Sequence, residues 1–200
     1  AKAMKSELTI PLMVTGGFRS ASAMEQALRN KAADGVIFSR TEPDDERVKL
    51  LLAENFPFVS HGRTMSPVPH PFVDYDNAAF ANHAVRRLKA KGCRKVTIIL
   101  PPMRFSFGHD LRDGFMAAVV EAGIDWEILS GATLDNTPDD IRLATIRRLG
   151  EQAAPDGFVC TGDASALAVM AGITDAGRVI GRDVQVVAKQ TSTIFSQVRP

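Results

Sequence analysis

The 200-residue chain carries 24 Lys and Arg against 23 Asp and Glu, a formal charge of +1, and 45% of it is hydrophobic. That length fits one large domain or two small ones with a real core, in the composition range of ordinary globular proteins. The near-neutral balance argues against binding nucleic acid or membrane through bulk charge; no apolar stretch is long enough to span a bilayer, and the opening decapeptide has no signal-peptide core.

In chain order, short Val- and Ile-rich runs alternate with segments of helical period. The runs are TIPLMV (9–14), GVIFS (35–39), FPFVS (56–60), KVTIIL (95–100), WEIL (126–129), GFVCT (157–161) and VQVVA (184–188). Unbroken apolar runs of this length fit strands covered on both faces, as in a parallel sheet. Between them, Met24, Ala27 and Leu28, then Val48, Leu51 and Leu52, mark short helices. Ala81, Ala84, Val85 and Leu88 form a longer stripe stopped by Gly92, and Leu111, Phe115, Ala118, Val119 and Ala122 another closed by Gly123. The clearest helix start is NTPDDIRLATIRRLG: Thr137 caps, Pro138 suits the first helical position, and Asp139 and Asp140 meet the positive helix end. Leu167, Met170, Ala171 and Thr174 give a last stripe, ending near Gly177.

Strand–helix alternation throughout predicts an α/β fold of doubly wound parallel sheets. One region breaks the rhythm. Residues 61–77, HGRTMSPVPHPFVDYDN, are proline-rich without helical period and read as a crossover between an amino-terminal lobe, 1–72, and a carboxyl-terminal lobe, 73–200. Cys93, in a turn, and Cys160, in an apolar run, read as two reduced thiols, with one disulfide as the alternative.

Parallel sheets place ligands at the carboxyl ends of their strands. Here those ends carry Thr15, Arg40, His61 with Arg63, the loop PPMRFSFGHD (101–110) with Arg104, Phe105, Phe107 and His109, then Asp163, and Lys189 with Gln190. Two rings among guanidinium, amide and carboxylate groups suit a small polyhydroxylated ligand, with rings on C–H faces and polar groups on hydroxyls. Each residue also has a plainer reading. Asp163 suits a helix cap, His61 and His109 suit a solvated surface, the phenylalanines suit loop packing, and the arginines suit a charged rim. Only their shared location favours a site.

Motifs for chemistry are missing: there is no G-x-S-x-G, Walker loop, G-x-G-x-x-G or H-E-x-x-H, which leaves no cofactor to name. The histidines, His61, His70, His83 and His109, lack zinc-ligand spacing with cysteine, so no metal site is expected. Asp74 and Asp76 in DYD read as a hinge feature rather than a catalytic pair.

ADGVIFS (33–39), FPFVSHGR (56–63), VDYDNAAFANHAVRRLKAKGCRKVTIIL (73–100), DGFMAAVVEAG (113–123) and DGFVCTGDASALAVMAGITDAGRVIGRDVQVVA (156–188) together resemble the effector-binding core of the lactose-repressor/galactose-repressor family of bacterial transcription regulators. The resemblance covers nearly the whole chain. It implies two periplasmic-binding-protein-like lobes hinged by crossovers, holding a small molecule, usually a sugar or nucleobase, between them. It also implies a homodimer that binds operator DNA through an amino-terminal helix-turn-helix lying outside this sequence, in the cytoplasm. The family's contact positions map onto His61, Phe105, Phe107, the Gly162–Asp163 junction and Gln190. Two positions depart from the pattern. Leu111 stands where the family often has a ligand-forking Arg, and Gln190 where an acidic residue often follows the strand, so His109 and Arg104 are candidate substitutes.

The same resemblance leads one to expect further chain at both ends, with the first lobe's opening strand before Ala1 and its returning strands after Pro200. The expected function is the sensor domain of a repressor-type regulator. A periplasmic solute receptor of a sugar transporter shares the fold and is the alternative. An enzyme using DYD, or Asp163 with a histidine, is disfavoured because no nucleophile, metal or phosphate motif is present.

Overall fold

A computed structural model describes residues 21–30 and 34–198. The expected strand at 9–14 and Thr15 fall outside this range. Two compact units emerge. One holds the described residues up to Tyr75 plus Arg104–Phe107; the other holds Asp76–Met103 and the described residues from Gly108 on.

The first unit runs α1 (Ala21–Arg29), β1 (Val36–Ser39), α2 (Glu46–Ala53), β2 (Phe58–His61) and β3 (Phe72–Val73). Its strands form a parallel sheet in the order β1-β2-β3. Met24, Val36, Phe38, Val48, Leu51 and Phe58 close its core. The short β3 was not expected. Phe72 and Val73 are exposed and lie next to Pro71, so the segment shows neither buried-strand composition nor alternation. It is defined instead by register, Ser60 opposite Phe72 and His61 opposite Val73.

The second unit contains α3 (Asn77–Ala90), β4 (Lys95–Ile99), α4 (Ser106–Ala122) from Gly108 on, β5 (Asp125–Ile128), α5 (Pro138–Gly150), β6 (Gly157–Cys160), α6 (Asp163–Asp175) and β7 (Gln185–Ala188). Its sheet is parallel, ordered β5-β4-β6-β7. Phe158, Cys160 and Ile99 face α5 and α6 in one core. The opposite face meets α3, where Leu88 lies beside Gly157, and α4, where Phe115 meets Trp126 edge-on at 6.2 Å.

The α3 and α4 stripes are buried as read, with Ala122 half-buried. The start of α5 carries a full capping box: Asp140 N–H donates to Thr137 Oγ1 at 3.2 Å, and Thr137 N–H donates to Asp140 Oδ2 at 3.1 Å. Both cysteines are free and buried. Burial and the nearby Asp156 push the Cys93 thiol up to about 11, and burial pushes the Cys160 thiol up too.

Four expectations need correction. WEIL is not covered on both faces: β5 is an edge strand that leaves Trp126 39% and Ile128 41% exposed. VQVVA buries only Val184, and Gln185–Ala188 is half-buried, since β7 ends the sheet among the described residues. The loop expected over 101–110 stops at Phe105, because α4 begins at Ser106 and takes in Phe107 and His109. The α6 stripe is rotated: Ser165, Ala166, Ala168, Val169, Gly172 and Ile173 are buried, whereas Ala171 and Thr174 are exposed. Close packing on α5 explains that rotation. A Cβ at Gly172 would lie 2.7 Å from the Arg142 carbonyl oxygen and 2.8 Å from Thr145 Cβ, so the small residues face inward.

Candidate ligand-binding site

In the first unit, β1 delivers the chain into Arg40, a non-glycine residue at φ 60°. A buried ion pair holds this strand end. Arg47 donates to the carbonyls of Ser39 at 3.3 Å and Arg40 at 3.0 Å, and to Asp45 Oδ2 at 2.7 Å, while its guanidinium lies 4.5 Å from the Phe38 ring centre. Burial works to raise the Asp45 pKa, but hydrogen bonds from Arg47 and the Glu42 amide outweigh it, leaving the carboxyl below its usual range. Asp45 also caps α2 by accepting the Arg47 N–H. The next residue from Arg40, Thr41, ties two further segments: its hydroxyl donates to the Arg63 carbonyl at 2.9 Å, and its carbonyl accepts the Ser106 N–H at 2.9 Å.

Around this scaffold sit four expected site residues. His61 ends β2 exposed, edge-on to Tyr75 at 5.6 Å. Arg63 Nε donates to Asp74 at 3.2 Å, and its guanidinium lies 5.6 Å from the Phe72 ring centre. Phe105 is only 4% exposed, with Arg40 and Arg104 at 4.2 and 4.6 Å from its ring centre. Phe107, half-buried, stacks on Phe105 at 5.9 Å, so of the two rings it offers more surface to a ligand. The DYD carboxylates work separately: Asp74 holds Arg63, and Asp76 caps α3 by accepting the Ala79 N–H at 2.8 Å.

In the second unit, Asp163 is the first residue of α6, following an N-cap Gly162 that makes no side-chain cap bond. Its carboxylate instead accepts the Thr191 hydroxyl at 2.8 Å and the Thr191 N–H at 3.2 and 3.3 Å. Burial tends to raise its pKa, yet the bonds from Thr191 and Ser192 leave it below the usual range. Gln190 Nε2 donates to the Ser192 carbonyl at 2.7 Å, on the same short loop as the Thr191 that Asp163 holds. Lys189 Nζ donates to the buried Asn77 at 2.8 Å. His109 lies half-buried in the first turns of α4. Leu111 is fully buried in the α4 stripe, and Arg112 pairs with its neighbour Asp113 at 2.7 Å.

Sequence reasoning missed Thr41, Asp45, Arg47 and Thr191. Asp45 had a signal, an Asp just before a helical segment; Thr191 had only its place in the polar run KQTS. A groove of about 380 Å³ lined by Lys95, Val119, Val120, Gly123, Ile124, Asp125 and Trp126 lies at the opposite, amino ends of β4 and β5. Its main cation, Lys95, is engaged by Glu127 at 2.9 Å, so it is a hollow with little to recognise a polar ligand. Among the described residues no three metal-ligating side chains come together, and no helix is long and apolar enough to cross a membrane.

The periplasmic binding protein-like domain matches residues 85–200, more than half of the chain. The chain belongs to that family. Among relatives of this periplasmic-binding-protein-like chain, the HTH-type transcriptional regulator AglR of Rhizobium meliloti is 30% identical over 82% of this chain and 48% of its own length. The regulator CelR of Thermobifida fusca is 28% identical over 86% of this chain and 52% of its own. A crystal structure of a LacI-family regulatory protein from Chloroflexus aggregans superposes with a TM-score of 0.76 at 26% identity, covering 90% of this chain and 64% of that one. A CelR–cellobiose complex superposes at 0.71 with 25% identity, covering 84% and 52%. The resemblance to the lactose-repressor/galactose-repressor family therefore holds, as does the α/β class with parallel sheets in two units. The chain spans about half the length of the curated relatives it matches.

Proposed function

We propose that this chain is the effector-binding and dimerisation domain of a cytoplasmic transcriptional regulator, a repressor that senses a sugar or related small metabolite. The observation that carries the reading is the family of regulators to which the relatives belong, which favours a regulator over a transporter's solute receptor. Polar and aromatic groups at or just beyond strand carboxyl ends support it: His61, Arg63, Phe105 and Phe107 in the first unit, and His109, Asp163 and Gln190 in the second. Phe107 covers C–H faces with Phe105 packed behind it, and the other side chains bind hydroxyls. The protein turns nothing over; it converts occupancy into DNA affinity, for which a coupling of roughly 1–3 kcal/mol suffices.

The test uses the full-length protein and a DNA fragment from upstream of its own reading frame. Fluorescence anisotropy with cellobiose and maltose, sugars named with its relatives, measures the coupling. A several-fold change in DNA affinity with either sugar supports the reading. Absence of DNA binding, or chemical conversion of the sugar, overturns it.

A further inference from the structure

The polar end of β7 is a tied loop. Lys189 is fixed to Asn77, the first residue of α3, and Gln190 is folded onto the Ser192 carbonyl. Thr191 gives both its N–H and its hydroxyl to Asp163. Four different donor groups make these bonds, so residues 189, 190 and 191 are each tied in succession. A carboxylate is the right group for the central tie. It offers two oxygens with several lone pairs, enough to accept a backbone amide and a hydroxyl together, and its charge strengthens both bonds. Its place in the first turn of α6, beside the positive helix end, favours that charge.

We infer that Asp163 is a positioning residue: by holding Thr191 it sets the conformation of the 189–192 loop and so the placement of Gln190, the group of this loop that addresses the effector. The inference rests on the proposed effector site and changes the job of two of its members. The acceptor offered to the ligand at the end of β7 is then a neutral amide rather than a carboxylate. That suits an uncharged polyhydroxylated ligand, to which Gln190 both donates and accepts. Thr191 becomes a determinant of affinity without touching the ligand.

A rival arrangement has the opposite sign. If Thr191 were a stand-in for ligand hydroxyls on Asp163, removing its hydroxyl would free the carboxylate and tighten binding. Positioning makes the same change weaken binding.

The experiment uses the full-length protein in two arms. In the first, amide hydrogen exchange is followed at Thr191 and Ser192 without any sugar. Asp163→Ala should speed exchange there roughly five- to tenfold, with Asp163→Asn in between, while the melting temperature stays near wild type. Unchanged exchange in Asp163→Ala overturns the inference. In the second arm, calorimetry with cellobiose and maltose compares wild type with Thr191→Val, which keeps the backbone N–H. Weaker binding by a few-fold is expected; equal or tighter binding overturns positioning. If the wild type binds neither sugar, the effector reading loses its support, while the exchange arm still decides whether Asp163 holds the loop.

Discussion

Two carboxylates stand at comparable points, each just after a parallel strand and at a helix start, yet they are built differently. Asp45 in the first unit is 4% exposed and shares its oxygens with the guanidinium of Arg47, a residue only 9% exposed. Asp163 in the second unit is more accessible and shares its oxygens with a neutral threonine on a loop. The buried pair clamps strand-end carbonyls behind the residue at positive φ; the accessible one clamps a polar loop. The contrast teaches that a carboxylate at a strand end is not one kind of object. Where its partner is charged and buried it holds a strand end; where its partner is neutral and near solvent it holds a loop.

The comparison can be broken from the scaffold side first. Val169→Asp, on the buried face of α6, places an uncompensated charge in a core and should unfold the second unit outright. Leu167→Asp, on the half-buried flank, should do much less. Melting curves of the two variants decide between the observed face and the one read from spacing. Next in size, Asp45→Ala leaves Arg47 buried without its carboxylate and should cost about 3–5 kcal/mol in urea unfolding of the first unit. Asp163→Ala should barely move unfolding, because its bonds are near solvent.

Acid sharpens the difference further. The folded pKa of Asp45 lies below its ordinary value of 3.8, so its stabilisation is complete above that value and is lost as pH falls through the lower folded one. The sign is the same for Asp163, but its partners are neutral and accessible. Fluorescence-monitored unfolding below pH 4 should therefore show a loss in wild type that Asp45→Asn lacks and Asp163→Asn retains.

Much of this was legible from residues alone. Val, Ile and Phe runs marked the central strands because β4 and β6 really are covered on both faces. Thr137, Pro138 and Asp140 marked the start of α5 because capping is local chemistry. What spacing missed depended on neighbours distant in sequence. The α6 face is chosen by how closely Gly172 lets α5 approach, and period alone favoured the larger Leu167 and Met170. Edge position made β5 exposed despite its apolar letters, and a run of letters does not reveal which strand ends a sheet. Strand ends were legible as positions, but the hydrogen-bond partners of Asp45 and Asp163 were not, since Thr191 lies 28 residues from Asp163.

Amide chemical-shift mapping of the full-length protein, titrated with whichever sugar raises its melting temperature, tests the proposed effector site head-on. The largest changes are expected at His61, Arg63, Phe107 and Gln190. Changes confined to Val119, Ile124 and Trp126, the groove at the amino ends of β4 and β5, would overturn that assignment.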